Sequence, residues 1–167
     1  HRHGRLLALL GRLDEARSDL ERAQAISRCC GDRQMESALL LALSNAKGRE
    51  GEWEEAVALA DRSLTLAREL GLAEGQADAL LAAGFFSFER GDWEGAIARL
   101  KSALVIATQS DIPLQRARIL GNMAIMYNAR GQARRAIELY RESIETFDRL
   151  GHPLDVARGL SNMGFSH

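Results

Sequence analysis

The stretch "EGEWEEA" occupies residues 50–56, and "RGDWEGA" occupies residues 90–96, forty residues further on. Two columns run through these phrases and beyond them. Glycine stands at Gly11, Gly51, Gly91 and Gly131, and alanine follows five residues later at Ala16, Ala56, Ala96 and Ala136. Between them lie Leu13, Trp53, Trp93 and Ala133. Outward from the phrase, Leu40, Leu80, Leu120 and Leu160 form a further column, and Gly4, Ser44, Gly84, Ala124 and Gly164 form one of small residues. Even the two prolines, Pro113 and Pro153, share a position. So many coincidences at one spacing define a tandem array.

Each unit reads as a pair of helices. In "RARILGNMAIMYNARG" (116–131), Leu120, Met123, Ala124 and Tyr127 recur at i, i+3, i+4 and i+7, one apolar stripe of a helix. Gly131 then supplies the left-handed residue that ends it. The following "QARRAIELYRESIETFDRLG" turns Ala136, Ile137, Tyr140, Ile144 and Phe147 inward and stops at Gly151. An alanine facing the small residue of the preceding helix lets two backbones approach closely. Trp53 and Trp93, beside that corner, read as wedges between consecutive helices rather than as ligand-stacking rings. A single hairpin cannot cover its own apolar face, so neighbours must stack.

The expected fold is therefore all-α, an α-α superhelix: a right-handed solenoid of antiparallel helix hairpins. It forms one array over 1–167, with a partial unit at 1–32, units at 33–72, 73–112 and 113–152, and a lone terminal helix at 153–167. Val156, Leu160, Met163 and Phe165 on that last helix have no partner in the array. A cut from a longer array, or packing of the ends on another copy, would cover them. The opening "HRHGRL" suggests an excised piece or a tag remnant.

These columns resemble the tetratricopeptide repeat, whose pattern runs W-x2-L-G-x2-Y, then A-x3-F, then A. Here it reads Leu120, Met123, Ala124, Tyr127, Ala136, Tyr140 and Ser143, and one unit earlier Leu80, Ala83, Gly84, Ser87, Ala96, Leu100 and Ala103. The period is forty rather than about thirty-four, so the second helix runs longer. HEAT and armadillo units also run near forty residues and stay open as an alternative. Stretches such as "ETFDRLGHPLDVARGLSNMG" resemble the long tetratricopeptide units beside ATPase modules in bacterial LuxR-type and STAND-class regulators. The resemblance implies a non-catalytic scaffold that binds a protein or peptide, as the sensor or interaction segment of a signalling or transcriptional regulator. A small-molecule-responsive allosteric sensor and a self-assembly module, joined through the terminal helices, are the other classes.

Composition narrows the field without choosing a partner. The formal charge is −1, with 22 basic and 23 acidic residues, so nothing recommends direct nucleic-acid binding. The longest apolar runs are far shorter than a membrane span. Cys29 and Cys30 are adjacent and cannot close an unstrained disulfide; they read as reduced, half-buried thiols, consistent with a cytoplasmic protein. Four histidines stand at His1, His3, His152 and His167, and no HExxH, GxxxxGK or GxSxG motif occurs. Glu54 and Glu55 fall at a helix start, where acidic side chains favour the helix dipole. No catalytic residue, metal site or cofactor is expected.

In a stack of this kind the first helices line the concave face. By register their outward positions include Arg5, Asn45, Phe85, Phe88, Arg118, Asn122, Ile125, Asn128, Arg158, Asn162 and Phe165. Arg118 and Asn122 stand at i, i+4, and Arg158 and Asn162 repeat them one unit later. This is similar to family members whose asparagine holds a peptide backbone while a basic neighbour takes a carboxylate. Asparagine both donates and accepts, and the guanidinium fork fits a carboxylate. The same asparagines could instead tie adjacent helices together. In "GFFSFERG", either Phe85 or Phe88 could anchor a partner's side chain, or could fill space between units.

Overall fold

The computed structural model describes residues 22–164 apart from 24 and 28. It contains seven helices beyond residue 32: α1 (Arg33–Glu50), α2 (Trp53–Glu69), α3 (Ala73–Glu89), α4 (Trp93–Gln109), α5 (Pro113–Ala129), α6 (Ala133–Arg149) and α7 (Pro153–Gly164). No strand occurs among the described residues. The partial unit over 1–32 lies largely outside them, as do Arg5, Gly11, Ala16 and Phe165. Cys29 and Cys30 are exposed, not half-buried; of the residues described in that segment, Ser27 is the one turned inward.

The helices end where the chain turns left-handed. Gly51, Gly91 and Gly131 take φ of 83°, 89° and 72°, and Gly31, Gly71 and Gly151 do the same at the opposite corners. Both corners of every unit are thus built alike, twenty residues apart, and only the 111 position lacks glycine. Asp111 adopts φ 51° there, a conformation that costs a residue with a Cβ about 1 kcal/mol. Asp111→Gly is expected to change stability by less than about 1 kcal/mol in the favourable direction, because relieved strain exceeds the added freedom of the unfolded chain. Chemical denaturation measures it; a clear loss would show that the aspartate side chain stabilises the corner.

Within each hairpin the alanine column sits at the closest approach. Ala56, Ala96 and Ala136 are completely buried. Ser44 Oγ donates to the Ala56 carbonyl at 2.7 Å, and a Cβ added to Gly84 would stand 3.2 Å from the Ala96 carbonyl oxygen. Around these contacts one continuous core runs through the middle of the array, with Leu80, Leu100, Ile119, Met123, Tyr127 and Tyr140 among its members.

Between units the aromatic residues take over. Trp53 stacks on Phe86 of the next first helix with centroids 6.2 Å apart, and Trp93 lies edge-on to Tyr127 at 5.6 Å. Arg130 covers a face of Trp93 at 4.8 Å. The first two hairpins therefore each carry a ring that docks on the next, while the third has Ala133 in that position. The successive first helices α1, α3 and α5 also pack backbone to backbone, whereas the second helices α2 and α4 meet through the longer Arg99–Asp61 ion pair. That asymmetry bends the stack and puts the first helices on the inner side. The seam between α4 and α5 is less extensively packed than that between α2 and α3. At the end of the array α7 rests on α6 with no fully buried residue: Val156 and Met163 are half-covered, while Leu154 and Leu160 stay exposed.

Candidate functional site

The inner side of the bend carries two adjoining cavities. The first, about 420 Å³, lies between α1, α3 and α5 and is lined by Leu41, Asn45, Asp78, Leu81, Ala82, Phe85, Phe86, Arg118 and Asn122. The second, about 210 Å³, lies between α5, α6 and α7 and is lined by Arg118, Gly121, Asn122, Ile125, Tyr140, Ser143, Phe147, Asp155, Arg158, Gly159 and Asn162. Arg118 and Asn122 belong to both, so the two cavities form one trough crossing three units.

Helical register explains the grouping. Positions 41, 45, 78, 82, 85, 118, 122, 125, 158 and 162 repeat at i, i+3, i+4 and i+7 along successive first helices and share one face. Asn45, Phe85, Arg118, Asn122, Ile125, Arg158 and Asn162 accordingly lie on the trough. Phe88 and Asn128 line neither cavity. They stand in the Gly48 column, one turn nearer the corner, and Phe88 meets Trp93 edge-on at 6.3 Å, where it fills space inside the stack.

The polar groups already have some internal commitments. Asn122 Nδ2 donates to the Arg118 carbonyl at 2.9 Å, within its own helix and not across to a neighbour. Arg158 pairs with Asp155 at 2.5 Å, an i, i+3 contact on α7. Neither pairing joins adjacent helices.

Sequence register passed over Asp78. It occupies the column of Arg118 and Arg158, and the change of sign within that column was the available signal. Burial raises its pKa above the ordinary carboxylate value; the Arg118 charge opposes that shift, Glu74 adds to it, and a hydrogen bond from Gln115 opposes it. A carboxylate whose folded pKa is raised contributes stability below its ordinary pKa and loses it as pH rises through the folded value. Ionised Asp78 is therefore a cost to the fold near neutral pH.

Other acidic groups are structural. Lys47 Nζ lies 2.8 Å from Glu52 and 3.0 Å from Glu55, latching the first corner, and those hydrogen bonds hold its pKa well above the ordinary value. Among the described residues no cluster of histidine, cysteine, aspartate or glutamate could hold a metal ion. No helix there is long and apolar enough to cross a membrane.

Residues 75–149 match the sequence profile of the tetratricopeptide repeat. These residues belong to the tetratricopeptide repeat family. The match decides against the HEAT and armadillo alternative for the central hairpins, and the fold carries the same hairpin through all the described units. No curated protein matches the chain.

Solved tetratricopeptide-like arrays share the architecture. The chain superposes on BtubC from P. vanneervenii with a TM-score of 0.79 at 21% identity, covering 92% of this chain and 65% of that one. It superposes with a TM-score of 0.79 at 18% identity on a signal transduction ATPase with numerous domains from Pyrococcus horikoshii, a protein with a tetratricopeptide repeat sensor. That match covers 94% of this chain and 24% of the ATPase. The apo form of RapI gives 0.78 at 17% identity over 93% of this chain and 44% of RapI. At these identities the likeness concerns the fold, and this chain spans less than two thirds of each.

Proposed function

We propose that this tetratricopeptide array is a non-catalytic scaffold that holds an extended segment of a protein partner along the first-helix trough, as the interaction or sensor segment of a larger signalling or transcriptional regulator. One observation carries the reading: two cavities joined through Arg118 and Asn122 make a continuous channel across three units. Phe85 and Ile125 offer apolar contact along it, and the asparagine amides offer hydrogen bonds to a peptide backbone. The occurrence of a similar array as the sensor of a larger ATPase supports the wider setting.

Selection of random pentadecapeptides displayed on phage against the full chain tests this. Selected peptides should lose at least tenfold in affinity, about 1.4 kcal/mol, with Arg118→Ala and Asn122→Ala combined, while the circular dichroism spectrum stays unchanged. Equal affinity for the double variant removes the trough as the binding site.

A further inference from the structure

Asp78 lines the cavity between α1, α3 and α5, and its tie to the next unit is a hydrogen bond from Gln115. It forms no ion pair, and Arg118, although it lines the same cavity, lies beyond ion-pair distance. Oδ2 accepts a hydrogen bond from Gln115 Nε2 at 3.2 Å, and Oδ1 has no donor among the described residues.

Gln115 adds an independent observation. Its side chain is 2% exposed, and Nε2 also donates to Glu74 Oε1 at 3.0 Å. Its own Oε1 is buried with no partner. The two carboxylates fix the amide's orientation, since reversal would set its oxygen against both. An unsatisfied buried carbonyl costs about 1–3 kcal/mol. The fold accepts that cost and still directs the donor at Asp78. A buried polar group left unmatched in this way calls for an explanation beyond packing.

The apolar lining of the cavity includes Leu41, Leu81 and Phe85. An aliphatic stem fits such walls. The cavity, about 420 Å³, is larger than any single side chain. We infer that Asp78 is a specificity-determining residue that receives the cationic head of a lysine or arginine side chain on the bound segment, with Gln115 as its positioning residue. This deepens the proposed function and rests on it. The incoming cation restores interactions that partial burial takes from the carboxylate and that the Arg118 charge and the Gln115 hydrogen bond only partly replace. Across the same cavity Arg118 gives the α5 side the opposite character, so the segment also has a preferred direction: its basic residue over α3 and an acidic residue over α5.

The test uses fluorescein-labelled random hexadecapeptide pools, each with one fixed central residue: lysine, norleucine or glutamate. Anisotropy with the full chain should show the lysine pool binding about tenfold more tightly than the norleucine pool, with glutamate weakest. Asp78→Asn keeps an acceptor for Gln115 while removing the charge. It should abolish the preference for lysine by bringing the lysine and norleucine pools to the same affinity, with thermal stability retained. Pools that bind equally well to the native chain overturn the assignment of Asp78 while leaving the peptide trough standing, as does a lysine preference that survives Asp78→Asn. Failure of every pool to bind removes the trough reading itself, and this inference with it.

Discussion

Leu100→Ala lowers the stability of the array by about 2–5 kcal/mol, the largest loss expected from a single truncation. Leu100 is fully buried in the second helix of the central unit and belongs to the continuous core. Its Cγ lies 3.1 Å from where a Cβ on Gly84 would stand. Truncation therefore opens a void opposite a residue with no side chain to move into it. How far a site can collapse decides where in the range the loss falls, and this site collapses poorly. A paired variant sharpens the expectation. Gly84→Ala alone crowds Leu100 and destabilises, but in the Leu100→Ala background the new methyl occupies vacated space. The double variant should be more stable than the two single losses summed, by about 0.5–3 kcal/mol in a denaturation cycle. Strict additivity would show that the two positions do not share a contact.

Gly48→Val is the second large effect, in the upper part of the roughly 1–3 kcal/mol typical of overpacking. Gly48 lies in the last turns of α1, and a Cβ there would come within 2.1 Å of Phe86 Cε1 and 2.4 Å of Cζ. Carbon atoms in contact prefer about 3.5–4.0 Å. The ring has little room to retreat, since Trp53 stacks on it and Phe85 meets it edge-on at 5.5 Å. Valine gains a few tenths of a kcal/mol of helix propensity over glycine, too little to offset the clash. Because units in such arrays couple mainly to their neighbours, the damage should be local. Amide exchange should accelerate in α1 and α2 and stay slow in α5 and α6. Uniform acceleration along the chain would show that the array unfolds as a single unit.

What the sequence makes legible follows from how tightly each position is constrained. A left-handed corner admits little besides glycine, and a helix crossing at close range admits little besides alanine, so Gly51, Gly91, Ala56 and Ala96 announce the hairpin and its period. The second set of corners is harder to see because Asp111 interrupts it. Gly48 is harder still: its contact with Phe86 is made between units, and the tilt of one unit on the next is not written in a repeat period. The trough is legible only as a face. Its residues are under looser packing constraint, so several columns change from unit to unit, and register places Asn45, Phe85, Arg118 and Asn162 on it without ranking them. Phe85 and Phe88 are indistinguishable by spacing until Trp93 is seen to occupy one of them. Asp78 was hidden by its neighbours in the column, where two arginines drew attention to positive charge.

The thin seam between α4 and α5 has a mechanical consequence. Resistance to bending comes from the contacts that must be sheared, so a row of stiff hairpins yields first at its weakest joint, here near residue 111. Both cavities meet at Arg118 and Asn122, immediately beyond that joint. An occupant lying across it acts as a splint, and whatever stiffness it adds is felt along the full lever on either side.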